Sequence, residues 1–329
     1  MPDFAVGVDL GGTNMRIAAV DESGKQLEVI STSTEVKRGR DSVVSDMCDA
    51  IRALGAKFSS THRLVGTGIG VPGIIDMESG LVKESPNLPD WAEYPVREEI
   101  QRRLGTSVIL ENDANAAALG EKWLGAGRDV EDMCMITLGT GVGGAVVLNG
   151  HIWHGMNGMA GELGHMAVYP DGAQCGCSNR GCLEQYASAT AVKRMAVEKI
   201  ASGHAPELAR AMSENPEFSA KVVFQYAIQG DRQAQEIFRA VGRAIGIIIA
   251  DMINVLNLQM YVIGGGVSSA WEMFSPTLFA ELRHRSFVYR ATEPDNNLTA
   301  PQRRKTIITR ALLGSDAGLI GAARLPMMR

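Results

Sequence analysis

The sequence predicts an α/β protein built as two domains. Three observations carry that reading. Residues 4–8, 15–20 and 26–31 read as three successive strands, after which helix and strand alternate to residue 124. A second block, from about Asp132, opens in the same way: an apolar strand, a glycine-threonine turn and a returning strand. Finally, 329 residues exceed what one hydrophobic core usually organises.

The elements follow in order. Residues 4–8 form a buried strand that runs into the tight turn Asp9-Leu-Gly-Gly-Thr-Asn14. Strands 15–20 and 26–31 are joined by the polar turn 21–25. Helical periodicity over 41–57 starts at Asp41, a residue suited to the N-cap. Strands are expected at 64–71 and 107–110, and an Ala- and Leu-rich helix over 113–124. In the second block, strand 133–138 leads into Gly139-Thr-Gly-Val-Gly-Gly144, and 145–148 returns toward Asn149-Gly150, a hairpin dipeptide. A long helical region spans 188–256 with a break at Asn215-Pro216. Strand 259–263 runs into Gly264-Gly-Gly266, with a helix opening near Ser268; a strand at 306–309 and a helix over 311–324 close the chain. The division expected is a smaller domain of 1–112 plus 311–329 and a larger one of 113–310, which carries the cysteine loop and the helical region. Asp9-Leu-Gly-Gly-Thr13 and Thr137-Leu-Gly-Thr-Gly141 echo each other as pseudo-repeats, two phosphate-cradling hairpins facing across a cleft.

Composition narrows the function. Hydrophobic content of 45% and charged content of 21% are those of an ordinary globular protein. Net charge is −5, and without a basic stripe no nucleic-acid partner is expected. The cluster Gln302-Arg-Arg-Lys305 reads as a solvated loop. No membrane span is expected, since the longest apolar stretch, 244–250, is far too short, and the first ten residues show no basic leader. Cysteines gathered in one loop, with Cys48 and Cys134 isolated, fit a reducing cytoplasm.

That loop is the densest chemical signal. Cys175, Cys177 and Cys182 fall within eight residues, and His165 lies just upstream. Cys₃His is a closed tetrahedral zinc set, and nearby glycines let the backbone turn tightly enough to close it. The alternative is three buried free thiols and a surface histidine. Glu162 and Glu184 bracket the loop, so zinc would fix two carboxylates beside a site.

Other motifs point to phosphate and hydroxyl chemistry. Backbone N–H groups at Gly11 and Gly12, with the Thr13 hydroxyl, can bind terminal phosphate, and Asp9 at the strand end can hold hydrated magnesium. Two glycine patterns, Gly68-Ile-Gly-Val-Pro-Gly73 and Gly139-Thr-Gly-Val-Gly-Gly144, are rejected as dinucleotide fingerprints: Pro72 interrupts the first and a strand follows the second. Glu111-Asn-Asp113 stands where a strand gives way to a helix. Asp113 is either the helix cap or a general base for a substrate hydroxyl. Asn112 suits sugar hydroxyls, and Asn87, in a proline-flanked loop, is either another hydroxyl contact or a surface turn.

Together, Asp9-Leu-Gly-Gly-Thr13, Glu111-Asn-Asp113, Leu138-Gly-Thr-Gly-Val-Gly-Gly144, Glu162-Leu-Gly-His165 and the three-cysteine loop resemble the ROK family of sugar kinases and repressors, in order and over nearly the whole chain. The resemblance implies the actin-like ATPase (ribonuclease H-like) fold, with two α/β domains flanking a cleft. It implies ATP with Mg²⁺, structural Zn²⁺, Asp113 as catalytic base, and sugar contacts from Asn112, Glu162, His165 and Glu184. Gly139, Thr140, Gly141 and Gly143 fall in its second phosphate turn, and Gly265 and Gly266 in its adenosine-side turn. The repressor branch adds an N-terminal helix-turn-helix, which is not expected with a first strand at residue 4. Within the family, residues 172–190 are similar to bacterial glucokinases, implying glucose phosphorylated at its 6-hydroxyl; N-acetylmannosamine, fructose or allose kinases and a non-catalytic sugar sensor are the rivals. Homodimers are usual among such relatives. One departure is Ser178, where the family pattern has glycine.

Overall fold

The computed structural model describes residues 1–85, 87–294 and 304–328. Along the first half run β1 (Asp3–Leu10), β2 (Asn14–Asp21), β3 (Gln26–Ser33), α1 (Arg40–Phe58), β4 (Arg63–Val71), β5 (Ile74–Asp76), β6 (Leu81–Glu84), α2 (Val96–Leu104), β7 (Val108–Asn112) and α3 (Asp113–Trp123). The second half has β8 (Met133–Leu138), β9 (Val142–Leu148), β10 (His151–Ile152), α4 (Glu184–Ala187), α5 (Ala189–Ala201), α6 (Pro206–Glu214), α7 (Ala220–Ile228) and α8 (Arg232–Leu256). It ends with β11 (Met260–Gly264), α9 (Trp271–Arg285), α10 (Phe287–Thr292), β12 (Ile307–Arg310) and α11 (Ala317–Met327).

Two five-stranded sheets result, ordered β3-β2-β1-β4-β7 and β10-β9-β8-β11-β12. Counting each sheet's own strands in chain order, both read 3-2-1-4-5. The echo between the two glycine turns is therefore an echo of whole topologies. In the first sheet β2 pairs antiparallel with β1 and β3, whereas β4 lies parallel between β1 and β7. In the second, β11 lies parallel between β8 and β12. A mixed sheet with helical crossovers is the α/β class the strand order predicted.

The chain forms two compact units, one of residues 1–131, 145–161 and 312–329, the other of 132–144 and 162–311. The first runs past residue 112 to include α3, which packs closely on α11. Side chains on Gly120 or Gly321 would collide with the backbone of the opposite helix. One face of the first sheet buries Phe4, Val6, Val8, Met15 and Ile17 with Val44, Met47 and Ile51 of α1. Ala5, Ala18 and Val20 point the other way, onto Leu319 and Ala323 of α11. That alternation is the period of two that a sheet covered on both faces requires.

Local expectations met three departures. Helix α1 is not capped by Asp41: its N-cap is Gly39, and the Arg40 N–H donates to the carboxylate of the distant Asp90 (2.8 Å). The closing helix starts at Ala317 rather than 311, because the Leu312 and Leu313 N–H groups donate to the buried Glu121 carboxylate (3.1 and 2.7 Å). The helical region breaks at 202–205 and 229–231 as well as at 215–219; Gly203 and Gly230 take positive φ there. By contrast Asn149-Gly150 forms the β9–β10 hairpin turn, with φ of 53° and 77°. Within the basic cluster 302–305, residues 302 and 303 lie outside the described residues. Among the described residues no helix is long and apolar enough to cross a membrane.

Candidate active site and metal centre

In the first unit the predicted residues gather at the carboxyl ends of adjacent parallel strands, where open α/β sheets bind ligands. Asp9 of β1 pairs with Gly70 of β4, which pairs with Glu111 of β7. After β1 the chain turns through Gly11, whose N–H donates to the Asn14 carbonyl (2.9 Å). The Thr34 hydroxyl donates to the Gly11 carbonyl (2.6 Å) and steadies the turn. Asn87 lies against it: a Cβ on Gly12 would stand 2.8 Å from the Asn87 carbonyl oxygen. Of Asn87's proline-flanked loop, Pro86 lies outside the described residues. Burial raises the Asp9 carboxyl above its ordinary range, and Arg16, directly across in β2, partly offsets this. Arg16 is itself anchored to Asp316 (2.6 Å).

At the start of α3 the capping role falls to the neighbour of Asp113. Asn112 is the N-cap of α3: its Oδ1 accepts from the Ala114 and Asn115 N–H groups (2.9 and 3.2 Å), while its Nδ2 donates to the Gly73 carbonyl (3.1 Å). Asp113 is thus the first helical residue, its Oδ1 accepting from the Ala114 N–H (2.9 Å). The Asn112 amide is largely committed to structure and keeps one N–H for a ligand.

The second unit repeats the arrangement. β8 and β11 are parallel, with Thr137 opposite Gly264, so the turns 139–142 and 264–266 emerge side by side. Gly265 has φ of 81°, and a Cβ there would stand 2.5 Å from the Leu138 carbonyl oxygen. Only glycine fits that conformation at that approach. Next to the first turn, the Glu184 carboxylate accepts from the Val142 N–H (2.9 Å), and a side chain on Gly141 would collide with it. The Ala189 N–H and the Thr190 hydroxyl donate to the carbonyls of Gly139 and Thr140 (both 2.8 Å). Glu162 is exposed as a residue, yet partial burial of its carboxyl raises its pKa; His165 opposes this shift and Glu184 adds to it.

His165, Cys175, Cys177 and Cys182 converge, their ligand atoms all within 4.8 Å of one another. Cys177 Sγ is 3.6 Å from Cys182 Sγ, and Cys175 Sγ is 3.7 Å from His165 Nδ1. Ligands ~2.3 Å from one tetrahedral ion stand about 3.8 Å apart, so the set fits zinc. The Cys177 and Cys175 thiols beside Cys182 add to burial in opposing its ionisation. Burial pushes the Cys182 thiol up to about 12, and a hydrogen bond from the Asn179 backbone draws Cys177 down. A divalent cation resolves that conflict by stabilising thiolates together. The loop is pinned by two isolated bridges, Ala167 with Cys182 and Gln174 with Arg180, and by the Ala173 N–H donating to the Tyr186 hydroxyl (2.9 Å).

Residues 5–328 match the model of the ROK family.

The chain belongs to the ROK family.

It is 39% identical to a glucokinase of Thermotoga maritima over 97% of this chain and 96% of that one. To a glucokinase of Halalkalibacterium halodurans it is 37% identical, over 97% and 94%. Its fold is similar to that of a ROK family glucokinase from Streptomyces griseus solved with glucose and AMPPNP, at a TM-score of 0.79 and 34% identity, covering 99% of this chain and all of that one. The actin-like ROK fold accounts for the repeated sheet order. It also gives Ser178 a meaning. Ser178 has φ of 70°, the left-handed region where glycine is at ease, so this ROK chain keeps the backbone of the expected glycine with a side chain attached.

Motif reading did not single out Thr34, the Arg16–Asp316 pair or Glu121 in this ROK chain. Each acts by contact with residues distant in sequence, 23 to 300 positions away, and isolated polar residues give no periodic signal. Glu111 was visible only as a neighbour of Asn112.

Proposed function

We propose that this ROK chain transfers the γ-phosphoryl group of ATP to the 6-hydroxyl of glucose. The observation that carries the reading is the capping of α3 by Asn112, which relieves Asp113 of that role at a strand end, in a chain 39% identical to a glucokinase. In the proposed reaction Asp113 takes the proton of the 6-hydroxyl as that oxygen bonds to the γ-phosphorus and the bond from phosphorus to the β,γ-bridging oxygen breaks, releasing ADP. Asn87, the remaining N–H of Asn112, Glu162, Glu184 and the free nitrogen of His165 hold sugar hydroxyls. Carboxylates suit that task because each accepts from two vicinal hydroxyls. The backbone N–H groups of Gly11 and Gly12, with Thr13, face terminal phosphate, as do those of Gly139, Thr140, Gly141 and Gly143, while Gly265 and Gly266 border the adenosine. Asp9 would hold hydrated Mg²⁺, which when bound neutralises charge on the phosphates. Zinc on His165, Cys175, Cys177 and Cys182 would be structural, fixing the loop from which Glu184 follows. Phosphoryl transfer of this kind is mostly positioning and charge neutralisation. We place the protein in the cytoplasm as a homodimer.

A coupled assay of ADP release over a panel of sugars tests this. Glucose should give the highest kcat/KM. A higher value for N-acetylmannosamine would replace the substrate and keep the kinase; no ADP release with any hexose would remove the kinase.

A further inference from the structure

The buried carboxylate next to the proposed base has a partner that no step above uses. Glu111, at the end of β7, is 2% exposed. Its Oε1 accepts from the Asn112 backbone N–H (3.0 Å) and from Nδ2 of Asn115 (2.9 Å). Those two residues flank Asp113 on either side, one in the cap and one in the first turn of α3. Glu111 therefore clasps the short segment that carries Asp113. Its other oxygen, Oε2, lies 2.7 Å from Nε2 of His154. His154 follows β10, and its side chain is about a third exposed. All of these groups belong to the first unit.

We propose that His154 is a positioning residue for the phosphoryl-transfer step, acting on Asp113 through Glu111. The inference rests on the kinase reading above. A carboxylate buried this deeply is costly to leave short of partners. With a donor on Oε2, both lone-pair sets of Glu111 are engaged and the carboxylate has one orientation. Without it, Glu111 turns toward another donor and no longer accepts from Asn112 and Asn115 together. That change loosens the residues on both sides of Asp113. Small displacements of a base cost rate rather than affinity, because the hydroxyl must be met in line with the phosphate. The Glu111 carboxylate also holds the His154 pKa above the ordinary histidine value, against the opposing effect of burial, so the imidazole gains positive charge where it meets the carboxylate.

The test compares His154→Leu with His154→Gln in the full chain. Leucine keeps bulk and loses the donor, whereas glutamine places an amide N–H near the position of Nε2. Expected for His154→Leu is a fall in kcat of about tenfold or more, with KM for glucose and ATP within about threefold and an unchanged circular dichroism spectrum. His154→Gln should recover kcat to within about threefold of the parent. In Glu111→Gln, which already lacks the carboxylate, adding His154→Leu should cost little further. A packing role predicts the reverse order, leucine tolerated and glutamine not, and that result would overturn the proposal. So would equal kcat in all three proteins, or loss of fold in His154→Leu, which would make the pair a staple of the unit. A parent protein that turns over no hexose would remove the kinase reading and this inference together; normal parental turnover with a normal His154→Leu would remove the inference alone.

Discussion

At Asp113 one hydrogen-bond assignment separates two roles. Aspartate at a strand-to-helix junction is ordinarily a cap, and here Asn112 performs that task. Replacing Asp113 by Asn keeps the shape and the bond from the Ala114 N–H while removing the proton acceptor. Loss of a general base costs ~10²–10⁴-fold in rate. Asp113→Asn should therefore lose at least a hundredfold in kcat while still binding glucose by calorimetry. Near-normal turnover of the folded variant would return Asp113 to a structural role. Ser178 is the second informative residue. A side chain in the left-handed region costs roughly 1–2 kcal/mol, and glycine gives back roughly 0.5–1 kcal/mol through its freer unfolded state. Ser178→Gly, at φ of 70°, should therefore raise the melting temperature of the zinc-loaded protein slightly, by about 1–3 °C. An unchanged or lower value would mean that the Ser178 hydroxyl contributes a compensating bond.

At the scale of elements, the loop from His165 to Glu184 is an irregular segment with short turns and no long helix or strand. Turn hydrogen bonds and two isolated bridges cross it, and Gly181 takes a φ of 70°, which favours glycine. A zinc ion on its four convergent ligand atoms would add a further constraint. Removing one ligand of a structural zinc site typically loses the metal. Cys177→Ala should bring bound zinc from about one per chain to near zero by elemental mass spectrometry. It should also lower kcat/KM for glucose, since Glu184 lies two residues after Cys182 and braces the Val142 N–H. A parent protein purified without chelator and free of zinc would end the assignment. Retained activity in metal-free Cys177→Ala would end only the link between loop and site. The strands and glycine turns of this region were legible from local pattern, because periodicity and turn chemistry act over a few residues. The start of α11 was not. It is set by Glu121, nearly two hundred residues earlier in the chain, which takes up the Leu312 and Leu313 N–H groups.

For the molecule as a whole, burial of Asp9 carries a cost in stability. Its carboxyl pKa lies above the unfolded value of 3.8 because burial disfavours the charged form. A raised carboxyl pKa favours the fold below 3.8 and loses that advantage as pH rises through the folded value. At neutral pH the ionised Asp9 therefore costs stability. Asp9→Asn should melt higher than the parent at pH 7, with the gap narrowing as pH falls toward 3.8, while activity falls with loss of the carboxylate proposed to hold magnesium. Equal melting temperatures at pH 7 would show that Arg16 offsets the burial in full.

The sequence by itself determined the class of fold, the pseudo-repeat, the clustering of His165 with the three cysteines and the family, because each is written in short-range spacing: apolar runs of strand length, paired glycines at strand ends, three cysteines within eight residues. Only the tertiary structure decided what braces Glu184 and that Glu111 reaches His154 across 43 residues. Those outcomes depend on which polar groups burial brings within about 3 Å of one another. That distance is fixed by the packing of sheets and helices far apart in the chain, so no local pattern encodes it.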